Sequence, residues 1–505
     1  MPFAIGPEYI AVALLGVVIG IIFGSIPGMT ATMAVAVFLP LTYAYTMEMA
    51  LYLLLGLYVG GISGGLVPAI LINIPGTPSS VCTTFDGHPM AMRGESERAL
   101  KIGVTASFFG GLISLVVLAL FTPILAGWAI KFSAVEKFLI ILFALTVIAA
   151  LSKGQMLRGI WIGMLGVLVS LMNQFSVNNA FRMVPEFLKP QMQSGFELFP
   201  VLIGLFAVSE MLQQCEEGMR AKYNKDDSAG FGDAVGFSFR RDFKGQTINV
   251  IRSSAIGTFL GILPGVGGSA ASLLAYSQTQ SWSKHPELMG TGVPEGLIAS
   301  EASNNGLTGG ALVPLLSLGI PGDSTTAVLI GAFMLQGIQV GPLFITNNGE
   351  IWNTILVAML VCNILMFLVM FFPIKLLAKI ILIPQERLYP VVLMMCSVGA
   401  YATKNGRMFD VWCLLFFGII GFILKKLRFP VSCFLIGFIL GGDLEDYFIQ
   451  AITAYNGSLT GFFVRPMGWV IWALIIIFVV YAVLDNRKTK KQAAEAKAAE
   501  PKEEE

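Results

Sequence analysis

The sequence predicts an all-α membrane protein that crosses the bilayer about 10 to 13 times and is built from two homologous repeats. Three observations carry that reading. Only 12% of the 505 residues are charged and 55% are apolar, where ordinary soluble domains carry about 25% charge. Uncharged stretches run from Glu8 to Glu48, from Glu48 to Asp86 and from Arg252 to Lys284, each long enough for the roughly 20 residues that span a hydrocarbon core. Finally, two pairs of proline-glycine signatures recur in the same order in the two halves of the chain.

Apolar blocks suited to crossing lie near 9–26, 48–72, 102–125, 134–151, 156–172, 197–212, 250–263, 297–320, 324–340, 352–372, 388–400, 410–424, 430–441 and 468–485. Several are short or rich in Gly and Pro, which makes the crossing number a range. Their backbone groups must be paired internally in hydrocarbon, and no alternating barrel pattern is present, so the spans are expected to be helices. The start, MPFAIGPEYI, has no basic region, so 9–26 is read as a retained span and not a removed signal peptide. Basic residues fall at Arg93, Arg98 and Lys101, at Lys153 and Arg158, within 213–249, at 425–428 and in the NRKTKKQ run from Asn486. One alternating path places all of these in the cytoplasm and puts 173–196 and 442–466 on the other side.

The repeat is the most informative feature. SIPGMTATM at 25–33 matches LPGVGGSAA at 263–271, each behind a glycine-spaced apolar run, GIIFG or GTFLG. GGLVPAILINIPGTPSS at 64–80 matches GGALVPLLSLGIPGDSTT at 309–326, and in both copies the two prolines stand seven positions apart, Pro68 to Pro75 and Pro314 to Pro321. The expected organisation is therefore a first transmembrane repeat over 1–212, a cytoplasmic linker over 213–249, a second repeat over 250–485, and a disordered cytoplasmic tail over 486–505. The repeats are taken to be inverted, with broken or re-entrant helices.

Proline lacks an amide donor and clashes with the preceding turn, and glycine admits unusual dihedrals. Pro27-Gly28, Pro75-Gly76, Pro264-Gly265 and Pro321-Gly322 are thus expected to break helices inside the membrane, freeing peptide groups that must be paired within the protein or face a wet cavity. Around them lie Thr30, Thr32, Asn73, Thr77, Ser79, Ser80, Gly267, Gly268, Ser269, Ser324, Thr325 and Thr326, small or polar residues expected to contact an anionic solute. New helices beginning after each break would aim their amino termini at the bound anion. Asp323, the only charged residue between Glu301 and Glu350, is the expected ion ligand together with Asn304 and Asn305. Bland readings stand beside these: small residues serve close helix packing, and Asp323 serves as a helix cap. His88, in FDGHPM, reads as part of a cytoplasmic turn.

Other chemistry finds little support. The net charge is +1 and no basic stripe with interleaved aromatics occurs, which argues against nucleic acid. The six cysteines are scattered and the two histidines are too few for a His-based metal site. There is no G-x-x-x-x-G-K-[ST], H-E-x-x-H or G-x-S-x-G motif, so no nucleotide hydrolysis, no other enzymatic activity and no organic cofactor are expected. A secondary transporter fits best, with a membrane scaffold or receptor lacking its own translocation path as the alternative.

Four segments carry a family resemblance: GIIFGSIPGMTATMAVAVFLP, YVGGISGGLVPAILINIPGTPSSVCTTFDGHPMA, GTFLGILPGVGGSAASLLAY and ASNNGLTGGALVPLLSLGIPGDSTTAVLIGAF. The chain resembles the TctA family, the large membrane subunit of tripartite tricarboxylate transporters, over nearly all its length up to the charged tail. The resemblance implies a bacterial inner-membrane protein working with a small TctB-like membrane subunit and a periplasmic TctC-like solute-binding protein. It further implies import of citrate or a related organic acid driven by a cation gradient, commonly sodium. A homodimer and an elevator-like movement are expectations by analogy with inverted-repeat transporters.

Overall fold

The computed structural model describes residues 6–150, 156–175, 180–217, 235–263, 267–377, 385–402, 406–480 and 483. Over these the chain is helical, with a single isolated bridge between Gln174 and Phe181. In chain order the helices are α1 (Pro7–Ser25), α2 (Ala31–Phe38), α3 (Met47–Gly64), α4 (Leu66–Ile72), α5 (Val81–Met92), α6 (Ser96–Ala129), α7 (Ala134–Ala150) and α8 (Met156–Ser170). There follow α9 (Leu198–Ile203), α10 (Ser209–Glu217), α11 (Phe239–Asp242), α12 (Thr247–Ile262), α13 (Gly267–Trp282), α14 (Pro294–Leu318) and α15 (Ser324–Leu335). The last are α16 (Phe344–Asn347), α17 (Gly349–Phe371), α18 (Ile374–Leu377), α19 (Gln385–Ala402), α20 (Met408–Lys426) and α21 (Val431–Ala454), with α22 (Pro466–Val480) after them.

Among the described residues five helices are long and apolar enough to cross a bilayer: α1, the α3–α4 run, α6, α17 and α20. They differ in what surrounds them. The α3–α4 span is 94% buried within the protein, whereas α6 is only 28% buried, so α3–α4 lies inside and α6 turns most of its surface outward. α14 is likewise buried along nearly its whole length, including Glu301, Asn304 and Asn305. Polar residues on a helix with that much burial must find partners there, which draws attention to α14 before any function is considered.

The chain divides into two compact units, one of residues 1–130 and 202–419, the other of 131–201 and 420–505. In the first unit, glycines let pairs of helices touch backbone to backbone. A Cβ at Gly24 of α1 would stand 2.2 Å from the Gly61 carbonyl of α3, and one at Gly257 of α12 would stand 2.0 Å from the Ser303 carbonyl of α14. Such approach increases dispersion contact where lipid supplies no hydrophobic drive to associate. The charged segments of this unit also gather. Arg98 bonds Asp242 at 2.8 Å and also pairs with Glu95, Lys101 and Lys375 reach Glu97 at 2.6 and 3.5 Å, and Gln246 reaches Glu295 at 3.1 Å. Burial of Asp242 works against its charge, but hydrogen bonds from Arg241 and Arg98 outweigh it and hold the carboxyl below the usual range.

In the second unit, α7, α21, α22 and the 3₁₀ turn Leu459–Phe463 share a core of Val135, Leu139, Ala451, Phe462, Ile471 and Ile475. Gly437 of α21 meets the Gly163 carbonyl of α8. Arg158, in the first turn of α8, donates to the Leu427 carbonyl at 3.2 Å, joining two segments expected on the cytoplasmic side. Arg182 pairs with Glu445, joining the two segments expected on the opposite side.

One expectation is corrected here. FDGHPM is not a turn but lies within α5, where Gly87 packs on Ile70 and the His88 ring bonds the Ile70 carbonyl at 3.0 Å. The Asp-Gly-His-Pro run suggests a turn locally, and tertiary packing overrides that preference. The expected linker over 213–249 is described only in part: α10 continues to Glu217 and α12 begins at Thr247. Residues 218–234 and the expected tail over 486–505 lie outside the described residues.

Candidate solute and ion site

The described residues singled out in the sequence fall in the first unit, most of them where helices stop and Asn304 and Asn305 midway along α14. After α1, Pro27 and Gly28 turn the chain, Gly28 with φ +85°, and Thr30 then caps α2 by accepting from the Met33 amide at 3.2 Å. After α14, Gly319 takes a left-handed conformation and closes the helix. Pro321 and Gly322 follow, and Asp323 caps α15 in a reciprocal capping box with Thr326. The Thr326 amide donates to Asp323 Oδ1 at 2.7 Å, and the Asp323 amide donates to Thr326 Oγ1 at 2.8 Å.

These two breaks meet. Thr32 and Thr325 share a hydrogen bond between hydroxyls at 2.8 Å, and Tyr58 of α3 donates its hydroxyl to Asp323 Oδ2 at 3.1 Å. Asp323 is 8% exposed, and among the described residues no basic side chain bonds it. Its charge is countered only by hydroxyl and amide dipoles, an arrangement that leaves the carboxylate available to a small cation. The capping role is therefore real, and it does not exhaust the carboxylate.

The segment after Pro75-Gly76 meets the start of α13. α4 ends at Asn73, which holds a left-handed conformation (φ 56°) with its side chain exposed. Beyond Pro75-Gly76 a single 3₁₀ turn over Pro78–Ser80 leads into α5, and the hydroxyl of Thr77 bonds those of Ser79 at 3.0 Å and Ser80 at 2.9 Å. Against this turn lies the start of α13. Ser269 donates to the Pro78 carbonyl at 2.8 Å, and a Cβ on Gly268 would stand 2.4 Å from Ser79 Cβ and 3.3 Å from Asn304 Oδ1. Gly267 has φ +71° and open space beside it. Pro264 and Gly265 lie outside the described residues.

The two cradles are joined through the middle of the unit. Ser63 of α3 donates to Asn305 Oδ1 at 2.7 Å, and Asn304 reaches the Ile62 carbonyl at 3.5 Å. Asn304 Oδ1 and Asn305 Nδ2 are buried and lack a hydrogen-bond partner among the described residues. An unmatched buried amide costs about 1–3 kcal/mol, so groups of this kind are where a ligand or water gains most. No group of three or more His, Cys, Asp or Glu side chains able to hold a metal gathers among the described residues.

The contacts at the two breaks correspond position by position. A Cβ on Gly76 would stand 2.2 Å from the Gly24 carbonyl and 2.9 Å from Gly65 Cα, and one on Gly322 would stand 2.7 Å from the Gly261 carbonyl and 2.6 Å from Ala311 Cα. Gly24 and Gly261 are themselves matched in the two GxxxG runs.

The family model described as "Tripartite tricarboxylate transporter TctA family" matches residues 10–436. The chain belongs to the TctA family. It is thus a subunit of a membrane transport system, an all-α polytopic protein consistent with the bacterial inner membrane. Two relatives come from Agrobacterium vitis. "Uncharacterized 52.8 kDa protein in TAR-I ttuC' 3'region" is 32% identical over 489 residues, covering 97% of this chain and 96% of the relative. "Uncharacterized protein in TAR-II ttuC' 3'region" is 34% identical over 235 residues, covering 46% of this chain and 97% of the relative. No solved structure matches.

Within this TctA-family chain, two acids contribute differently from what residue type alone suggests. Glu301 is fully buried and bonded by the hydroxyls of Thr83 and Ser107, the latter at 2.9 Å, while Glu295 accepts from Gln246 and Ser283. Tyr58, the hydroxyl on Asp323, escaped sequence reasoning because a tyrosine in an apolar run reads as packing. The repeat held the signal: Tyr58 stands ten positions before Pro68, and Asn304 stands ten before Pro314.

Proposed function

We propose that the protein is the translocating subunit of a binding-protein-dependent secondary transporter that imports a carboxylate, a tricarboxylate such as citrate or a related organic acid, on a cation gradient, most simply sodium. The observation that carries this reading is Asp323, a carboxylate buried at a helix break without a basic partner among the described residues. A sodium ion suits such a site because hard cations take oxygen ligands, here the carboxylate with neighbouring hydroxyls and carbonyls. The solute carboxylate belongs at the neutral cradle of Thr77, Ser79, Ser80, Gly268, Ser269 and Asn304, where hydroxyls and helix-start amides donate to it without burying a cation.

The matched contacts at Gly76 and Gly322 support two repeats of inverted topology, one up to about 212 and one from about 250 to 485, with the intervening segment as linker. Alternating access then follows if ion and solute together bind one arrangement of the repeats better than the other. Family membership supports a small TctB-like membrane partner and a periplasmic TctC-like receptor that delivers the solute, and a homodimeric scaffold fits the elevator-type movement.

Purified protein is to be reconstituted with the small subunit, the receptor and a panel of carboxylates. Uptake that requires receptor and an inward sodium gradient is expected, and Asp323→Asn should lose most of that uptake at sodium concentrations that half-saturate the wild type. Uptake by Asp323→Asn with unchanged sodium dependence would remove this residue from coupling. Lack of any uptake by the complete wild-type system, with every carboxylate tried, would favour the scaffold alternative.

A further inference from the structure

Away from both cradles, a cavity of about 620 Å³ opens between α6, the short α11 and the start of α12. Its wall is aromatic. The rings of Phe239 and Phe243 stack at 5.1 Å between centroids, and Phe109 of α6 lies 6.2 and 6.4 Å from them. Val250 extends the apolar lining along α12, and Arg240 and Lys244 complete it with two positive charges.

Those two charges differ from their neighbours. Arg98 and Arg241 are both bonded to Asp242, and Lys101 to Glu97. Arg240 and Lys244 make no ion pair or hydrogen bond among the described residues and are exposed. Among the described residues the neighbouring acids Glu97 and Asp242 are therefore already committed, and the two cations at the cavity have no counterion there. Next to them, Phe239 and Ile251 are each 54% exposed and Ile248 is 72% exposed. Large apolar side chains open to the outside at the first turns of α12 are stable in a chain embedded in lipid, at the depth where headgroups give way to hydrocarbon.

An aromatic wall beside two unmatched cations is complementary to an amphiphile with an anionic head and a hydrocarbon tail. We propose that this cavity binds an anionic phospholipid, its phosphate between Arg240 and Lys244 and one acyl chain lying along Phe109, Phe239 and Phe243. A free phosphate would use the cations and leave the aromatic wall unoccupied. A zwitterionic lipid would use the wall and carry its own counter-charge to the cations. Because the cavity is remote from Asp323 and Ser79 in contacts and chemistry, the proposal does not depend on the transport reading.

The full-length chain, purified in a neutral detergent, is to be titrated with phosphatidylglycerol or phosphatidylcholine while thermal melting and lipid retention by native mass spectrometry are read. Phosphatidylglycerol should raise the melting temperature more and be retained preferentially. Arg240→Gln and Lys244→Gln should each reduce that preference roughly fivefold, and the charge-matched control Lys284→Gln should leave it intact. Phe239→Asn should weaken retention of both lipids. Equal retention of the two lipids by the wild type would overturn the proposal, as would an undiminished preference in both glutamine variants. Inorganic phosphate alone reproducing the full stabilisation would reduce the cavity to an anion site and overturn the lipid assignment.

Discussion

The two cradles of the first unit are made at matching places in the repeated sequence, yet only one has an acid at its break. Two positions after Pro321 stands Asp323, and two positions after Pro75 stands Thr77. Asp323 and Thr77 each bond the side chain three residues on, Thr326 or Ser80. The hydroxyl pair Thr32 and Thr325 has its counterpart where Ser269 meets the Pro78 carbonyl beside Ser79. Ten residues before the first proline of each pair, Tyr58 reaches Asp323, and the Asn304 side-chain oxygen lies beside Gly268. One framework thus provides two sites of similar geometry and different electrostatics. A carboxylate among dipoles favours a cation, while hydroxyls and amides alone favour an anion, and the proposed function uses that difference to divide the labour between driving ion and solute.

The largest expected effect comes from erasing the difference. Asp323→Asn should raise the sodium concentration needed for half-maximal uptake by about 10- to 100-fold, the equivalent of roughly 1.5–3 kcal/mol for hydrogen bonds and contacts made by a charged group. Flux measured against sodium concentration checks this. Copying the charge onto the other side sharpens the comparison: Asn304→Asp should weaken solute affinity roughly 10-fold or more while sodium affinity changes little, read by solute titration at saturating sodium.

The shared framework is tested separately from the charge. Gly76→Ala and Gly322→Ala force a Cβ to 2.2 Å and 2.6 Å from backbone atoms. Each should cost about 1–3 kcal/mol of stability by overpacking, seen in thermal melts, and similar losses in both would support the positional match. Tyr58→Phe removes a single hydroxyl from Asp323 and should lower sodium affinity about fivefold, with solute affinity unchanged at saturating sodium. The smallest effect lies outside both cradles. Asp242 has its folded pKa lowered, so its contribution is complete above the unfolded value of about 3.9 and is lost as pH falls through the folded value. Melting temperature should decline slightly on acidification below about pH 4, and Asp242→Asn should flatten that decline.

Much of this was legible in the sequence because proline-glycine breaks in apolar runs have few physical uses. The all-α membrane class, the breaks at Pro27, Pro75 and Pro321, and the polar residues beside them follow from composition and backbone chemistry. What could not be read was which break faces which. Gly76 packs on Gly24 and Gly322 on Gly261 within each half, while the helix after Pro27 meets the helix after Pro321, and Ser79 meets Gly268, across the halves. That exchange depends on tertiary packing of α3 and α14, whose long buried faces carry no local signal of orientation. Asn73 was singled out for lying in an apolar run, but ending a helix in a left-handed conformation puts its side chain at the surface. FDGHPM looked like a turn for local reasons, and α5 forms there because Gly87 fits against Ile70.

The claim that charge separates the two cradles is tested most directly by ligand-induced thermal stabilisation of purified wild type, Asp323→Asn and Asn304→Asp, each with sodium, with potassium, and with a transported carboxylate at saturating sodium. Sodium should stabilise wild type and Asn304→Asp but not Asp323→Asn, and the carboxylate should stabilise wild type far more than Asn304→Asp. Full sodium stabilisation of Asp323→Asn, together with unaltered carboxylate stabilisation of Asn304→Asp, would contradict it.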